Sequence, residues 1–426
     1  MRYTPLSPDF YYSNRKQLFQ LMKSGSVAVF LSNDVSPTNA DASYPYRQNN
    51  DLFYFTGIEQ EETYLVMRKG LNGEEKSILF ITKPDKLTTT WAGDKISKKK
   101  VLSISEISDI KWNTVYEKSL RKEMSSINTL YLSGNPATAN QIVKTPAERL
   151  ESWCQIEFPA VKIISKPFHQ LRLIKGSEEL NRIQAACNIT TQGFTHVLGV
   201  IKPGMKEFEI EAELSRDYLR MGSSGFAYQP IIASGVNACI LHYTFNNKTC
   251  KNGDLVLMDV GANYGMYVAD LTRTVPISGR YSKRQKAVYN SVLKVQKFAF
   301  SILKPGLEMS EYNNAIREIM EAELIKLKLL SKSEIRKQNA RMPAYRKYFM
   351  HGTSHQLGLD VHDVGGKLFD HFKENMVITV EPGIYIKEEQ LGIRIENDVA
   401  LTKNGILDFM SHTPVETEEI EDLMNA

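Results

Sequence analysis

The sequence predicts a mixed α/β protein with two domains, 1–172 and 173–426. Three observations carry this. Apolar runs of strand length at 27–31, 64–67, 77–81 and 130–132 are interspersed with helical signals through the first 165 residues. An Ile-Lys-Gly-Ser break at 174–177 then punctuates the chain before a long helical pattern begins. Beyond it, apolar strands carry single carboxylates where valine or isoleucine would ordinarily stand. A length of 426 residues is compatible with two or three domains, and 42% hydrophobic content supplies sizeable cores.

Taken in order, the first notable stretch is the aromatic-rich 44–57, YPYRQNNDLFYFTG, whose density suits a core or an interface better than a ligand surface. Ser177-Glu-Glu-Leu opens a helix with an N-cap candidate and acids in its first turn. Leu180, Ile183, Cys187, Phe194, Val197 and Ile201 keep to one face until Pro203-Gly204. A second helix follows on Ile210, Leu214, Tyr218 and Met221, ending in the turn between Gly222 and Gly225. Residues 230–243 read as strand, turn and strand, delivering His242 at the end of a short apolar run, where a lone histidine is more often structural. Residues 311–330 have helix-forming composition, and the basic stretch 332–347 reads as a solvated helix face and connector.

Composition narrows the function classes. The formal net charge is only +4, and the Lys98–Lys100 run is balanced by Glu416, Glu418, Glu419, Glu421 and Asp422, which argues against nucleic acid as a partner. Cys154, Cys187, Cys239 and Cys250 show no CxxC spacing and read as reduced thiols. Neither a secretory leader nor a membrane-spanning run is apparent, so no membrane partner is expected and a cytoplasmic location is the default.

The chemistry concentrates in HGTSHQLGLDVHD, residues 351–363, where His351, His355 and His362 stand among Asp360 and Asp363. Imidazoles and carboxylates are the groups that bind hydrolytic metals and move protons near neutral pH. Capped turn histidines and solvated aspartates are the alternative reading of this stretch alone. Other carboxylates strengthen the case for a site. The apolar strand LVLMDV holds Asp259, and Asp270 follows eleven positions later, with Gly261 and Gly265 permitting a hairpin that sets the two side by side. A buried carboxylate must pair, protonate or bind a cation; an ion pair between Asp270 and Arg273 is the other way to satisfy it. The run VITV ends at Glu381, and GIRIENDV is a further strand in which alternation places Arg394 and Glu396 on one face. Asp259, Asp270, His355, Glu381 and Glu396 together offer five ligands, enough for two divalent ions that share bridging carboxylates.

HGTSHQLGLDVHD, LVLMDVGANYGMYVADLTRT, VITVEPGIY, GIRIEND, ASGVNACILHY and YPYRQNNDLFYFTGI resemble the Xaa-Pro aminopeptidases (aminopeptidase P), over nearly the whole chain. The resemblance implies an N-terminal ribonuclease H-like α/β domain and a C-terminal pita-bread catalytic domain. It implies that Asp259, Asp270, His355, Glu381 and Glu396 hold two metal ions, usually manganese (Mn2+) in this family. It places His242, His351 and His362 around the substrate, Arg394 by the pocket for proline and Tyr385 close to the metals. Trp91 is similar to a tryptophan that reaches a neighbouring subunit in the bacterial tetramers, so a homodimer or homotetramer is expected. The implied reaction releases the N-terminal residue from peptides with proline second. A metal-bridging hydroxide attacks, Glu381 handles the proton and His362 donates to the oxyanion. The connection from Tyr385 to Gly392 is shorter than in the bacterial enzymes, which alters the groove rim. Competing readings are an Xaa-Pro dipeptidase, with the same ligands and a similar pocket, and a non-catalytic pita-bread binding protein. A methionine aminopeptidase shares the fold but lacks such an N-terminal domain.

Overall fold

The computed structural model describes residues 3–133, 143–165, 168–339, 342–366 and 369–426. The chain forms two compact units, Pro5–Leu171 and, together with Tyr3 and Thr4, Arg172–Ala426.

The first unit is built on a sheet of β1 (Ser26–Leu31), β2 (Tyr64–Lys69), β3 (Glu75–Ile81), β4 (Asp109–Trp112), β5 (Thr129–Leu132) and β6 (Lys162–Ser165), in the order β4-β3-β2-β1-β5-β6. β1 pairs antiparallel with β2 and parallel with β5. The four runs that the sequence marks as strands are β1, β2, β3 and β5. The two it leaves out, β4 and β6, are the short outer strands, where one neighbour is missing and a continuous apolar run is not required. Val27, Val29, Leu31, Val66, Ile78, Phe80, Leu130 and Leu132 form one apolar face, packed on Leu120 and Met124 of α5 (Tyr116–Met124) and Leu150 and Cys154 of α6 (Pro146–Glu157). The helices α1 (Pro8–Leu21), α2 (Asn50–Thr56), α3 (Lys86–Ala92) and α4 (Lys98–Ser105) also belong to this unit, and α7 (His169–Leu173) runs across the boundary at Leu171 into the second. The aromatic stretch becomes α2, opened by Asn49, whose side chain accepts from the backbone N–H of Asp51 and Leu52. Leu52, Phe53, Tyr54 and Phe55 are buried, and Phe55 packs 4.6 Å from Phe30, centroid to centroid. Trp91 lies on α3, none of whose residues is buried.

The second unit begins with α8 (Ser177–Leu198) and α9 (Glu207–Arg220), the two helices whose apolar faces the sequence displays. One sheet runs β11-β8-β7, from β7 (Ile231–Ser234), β8 (Leu255–Val260) and β11 (Leu271–Pro276). Between β8 and β11 lies a hairpin of β9 (Asn263–Tyr264) and β10 (Tyr267–Val268). After α10 (Lys283–Ile302), α11 (Met309–Lys326) and α12 (Lys332–Lys337), a second sheet runs β12-β15-β16, with β12 (Val377–Val380), β15 (Asn397–Thr402) and β16 (Gly405–Asp408). β13 (Gly383–Ile386) and β14 (Leu391–Arg394) pair separately, and α13 (Thr417–Met424) lies near the C-terminus.

Two expected strands are shorter than their patterns. Only 231–234 of the 230–243 stretch is a strand. Gly235 turns with φ +58° into a 3-10 segment, Gly235–Cys239, where Ser234 N–H and Asn237 Nδ2 both donate to Glu207 Oε1. GIRIENDV breaks after Arg394, because β14 pairs with β13 whereas β15 pairs with β12. Glu396 at the break bridges Thr272 of β11 instead.

Candidate metal centre and substrate cavity

The strands meet at a cavity of about 500 Å3 in the second unit. Its lining includes His242, Asp259, Asp270, His351, His355, His362, Glu381, Arg394 and Glu396, and also Tyr228, Gln229, Ile231, Leu241 and Thr244. Register explains part of this convergence. β8 and β11 pair so that Asp259 faces Thr272, which leaves Asp270 just before β11 and on the same side. Thr379 N–H donates to His355 O and Glu381 N–H to Thr353 O, which lays the histidine stretch along β12 and its end.

Asp270, His355 and Glu396 each offer a donor atom within 4.8 Å of the others. His355 Nε2 also lies 3.6 Å from Glu381 Oε1 and 3.5 Å from Asp270 Oδ2. Its Nδ1 sits 3.1 Å from the carbonyl of Gln356, so Nδ1 keeps its proton and Nε2, which faces the carboxylates, is the nitrogen that gives up its proton to a cation. Asp259 joins through Tyr228, whose hydroxyl lies 2.7 Å from Asp259 Oδ1 and 2.5 Å from Asp270 Oδ1. Glu396 Oε2 accepts from Thr272 Oγ1 at 2.6 Å, whereas Oε1 is buried without a hydrogen-bond partner among the described residues. That orphaned acceptor, among four carboxylates and an imidazole, fits a divalent cation.

Electrostatics point the same way. Burial raises the carboxyl of Asp270, pushes Glu381 up to about 7 and lifts Glu396 far above the usual range; neighbouring acids add to all three. Burial alone would lower His355, but Asp270 and then Glu381 outweigh it and hold the imidazole at about 9. Protons therefore stand in for positive charge, which a cation would displace.

A second group surrounds the cavity. Arg394 donates to Asp259 through Nη2, to Thr272 Oγ1 through Nε at 3.1 Å and to the Tyr385 hydroxyl through Nη1 at 2.8 Å. The Tyr385 hydroxyl is also 2.7 Å from His351 Nε2. Tyr385 thus stands behind His351 and Arg394 and is absent from the lining. Burial, then the charge of Arg394, depresses His351 to about 4, which keeps it neutral near pH 7. His362 stands edge-on to His355 with ring centroids 4.4 Å apart, and burial and then His355 lower it as well. Trp91, 83% exposed, belongs to the first unit and is not among the lining residues.

The alternative pairing of Asp270 with Arg273 is not formed. Arg273 is buried and donates to the carbonyls of Pro414, Thr272 and Glu396, because its strand position points it away from Asp270. Sequence reasoning missed Tyr228 and Thr272, since a lone tyrosine after a glycine turn and a threonine within a strand carry no local signal. Asp398 was missed too. It accepts from the backbone N–H of Asp270 at 2.8 Å, and the aspartate two positions after Glu396 in the same motif was its only hint.

A model of metallopeptidase family M24 matches residues 181–403, and one of the aminopeptidase P N-terminal domain matches residues 11–131. The Xaa-Pro aminopeptidase of Escherichia coli is 34% identical, over 99% of this chain and 98% of its own length. Xaa-Pro aminopeptidase 3 of Homo sapiens is 28% identical over 98% of this chain and 86% of its own. Zinc-substituted E. coli aminopeptidase P in complex with product superposes with a TM-score of 0.90 at 31% identity, covering 99% of each chain. With half of its length matched by that family's model and relatives that align end to end, the chain belongs to metallopeptidase family M24.

Proposed function

We propose that this protein is a metal-dependent aminopeptidase that releases the N-terminal residue from peptides with proline at the second position. The observation that carries the reading is the arrangement of Asp259, Asp270, His355, Glu381 and Glu396 along one cavity, with an unpartnered Glu396 Oε1 among them. Relatives named Xaa-Pro aminopeptidase that align over both units favour it over a dipeptidase. A divalent metal belongs to the family's chemistry; two ions, held by those five residues and most simply manganese, is our reading of the donor count. When bound, such ions lower the pKa of water and polarise the scissile carbonyl.

The chain's own residues do the rest. Glu381, on the cavity wall 3.6 Å from His355 Nε2, takes the proton from the attacking water and delivers it to the departing proline nitrogen. His362 donates to the oxygen that gains charge, a contribution of roughly 3 to 4 kcal/mol for one well-placed donor. Neutral His351, held by Tyr385, and His242 with Ile231 and Leu241 form the wall for a proline ring, whose tertiary amide offers no N–H. Arg394, anchored on Tyr385, Thr272 and Asp259, stands by the proline pocket, where a guanidinium can meet either a dipeptide's terminal carboxylate or the backbone carbonyl of a longer chain. We further propose that 173–426 carry the catalysis, that Trp91 serves a contact between copies in a homodimer or homotetramer, and that the enzyme works in the cytoplasm. No helix among the described residues is long and apolar enough to cross a membrane.

The test is elemental analysis of the purified protein, followed by kcat/KM on Xaa-Pro-Xaa and Xaa-Pro substrates sharing a first residue, with manganese present. Cleavage of the tripeptide with metal retained is expected. A preference for the dipeptide above about tenfold, some 1.4 kcal/mol in transition-state binding, would transfer the protein to the dipeptidases.

A further inference from the structure

We propose that a buried ion cluster of Asp363, Arg172 and Lys175 positions His362, so that these three are positioning residues for the reaction; the inference rests on the aminopeptidase reading above. Asp363 follows His362 directly and its side chain is 1% exposed. One carboxylate oxygen accepts from Arg172 Nη2, and the other lies 3.2 Å from the ammonium of Lys175, also 1% exposed. Arg172 reaches Asp360, at 3.2 Å, with the same nitrogen. One buried anion is thus clamped by two buried cations, an arrangement that costs desolvation and is retained where it specifies a geometry. Both cations come from the segment that opens the second unit, where Lys175 N–H donates to the carbonyl of Asn375 at 2.9 Å.

What the cluster holds is the turn 356–363. Its ends are tied by Asp363 N–H to the Gln356 carbonyl at 2.9 Å, and its middle by Val268 N–H to the Gly358 carbonyl at 3.0 Å. The packing is tight: a Cβ on Gly358 would lie 2.2 Å from Asp363 Oδ2 and 3.0 Å from Lys175 Cε. His355 stands one residue before this turn and His362 at its far end, with the two rings in edge contact. Among the described residues the His362 imidazole makes no hydrogen bond, so its aim is set by its backbone, and its backbone is set by Asp363.

The test is Asp363→Asn in the metal-loaded enzyme, alone and in a His362→Ala background. Positioning predicts that kcat on an Xaa-Pro-Xaa peptide falls at least about tenfold with KM and metal content little changed, since a 1 Å misplacement can cost about a hundredfold. It also predicts that the loss shrinks below about twofold once His362 is absent. An equal loss in both backgrounds, or none in either, overturns the proposal. Lys175→Met, which leaves Asp363 paired with Arg172, serves if Asp363→Asn does not fold. Backbone hydrogen exchange provides a readout free of activity: faster exchange confined to 356–363 is expected, and unchanged exchange there refutes the clamp. If the wild-type protein cleaves no Xaa-Pro peptide, the aminopeptidase reading fails while the exchange measurement still decides this one.

Discussion

Replacing Gly261 by alanine should disable the centre without touching a single proposed ligand. Gly261 follows the end of β8, two residues after Asp259, and faces Ala269, the residue before Asp270. A Cβ there would sit 1.7 Å from the carbonyl oxygen of Ala269 and 3.2 Å from Cε1 of Tyr228. Real Cβ atoms essentially never come within 3.0 Å of such an atom, so the backbone at Ala269 must retreat by roughly 1.3 Å. Ala269 N–H is bonded to Ala262 O at 3.1 Å and Asp270 is the next residue, so the retreat carries Asp270 with it. It also presses on the tyrosine whose hydroxyl lies between the two aspartates. Sites of this kind tolerate displacements of about 0.5 Å. Activity should therefore fall by about a hundredfold or more, and overpacking should cost about 1–3 kcal/mol of stability. The assay is kcat/KM on a Pro-containing tripeptide, with metal affinity by calorimetry and the thermal midpoint measured on the same sample. Native metal affinity and activity in a folded Gly261→Ala protein would refute the reasoning that this close approach sets the distance between the aspartates.

Asp270→Asn, or Glu396→Gln, should lose metal and lower activity by orders of magnitude, read by elemental analysis and turnover; near-normal activity in a verified metal-free preparation would contradict the assignment. His362→Ala should retain metal and lower kcat by about 100- to 1,000-fold, the loss typical of one oxyanion donor; metal loss equal to that of His355→Ala would show the two histidines to be misassigned. Without metal, Glu381 is raised to about 7 from 4.5 and His355 to about 9 from 6.5. Both bind protons more tightly when folded, so their stabilisation is full below the unfolded values and fades as pH rises through 7 and then 9. Melting curves from pH 5 to 9 should accordingly show the metal-free protein losing ground while added manganese raises the midpoint by more at each step; a gap independent of pH would count against proton displacement.

Much of the candidate site is legible in the chain because the physics there is local. A carboxylate inside an apolar strand is costly, so Asp259 announces itself within six residues, and period-two alternation puts Arg394 and Glu396 on one wall without knowledge of the partner strand. The helices at 177–198 and 207–220 are equally local, written in their apolar faces, although Gly176 and not Ser177 stands at the N-cap of the first, where the backbone N–H of Gly176 donates to Glu179. Only the tertiary structure decides what depends on contact between distant residues. Tyr228 meets Asp259 and Asp270 from 31 and 42 positions away, Arg273 turns to three carbonyls instead of Asp270, and the strand pattern of GIRIENDV breaks because its halves find different partners. Composition marks which groups demand compensation. Which atom compensates them is set by backbone register and by the close packing of segments that the sequence keeps far apart.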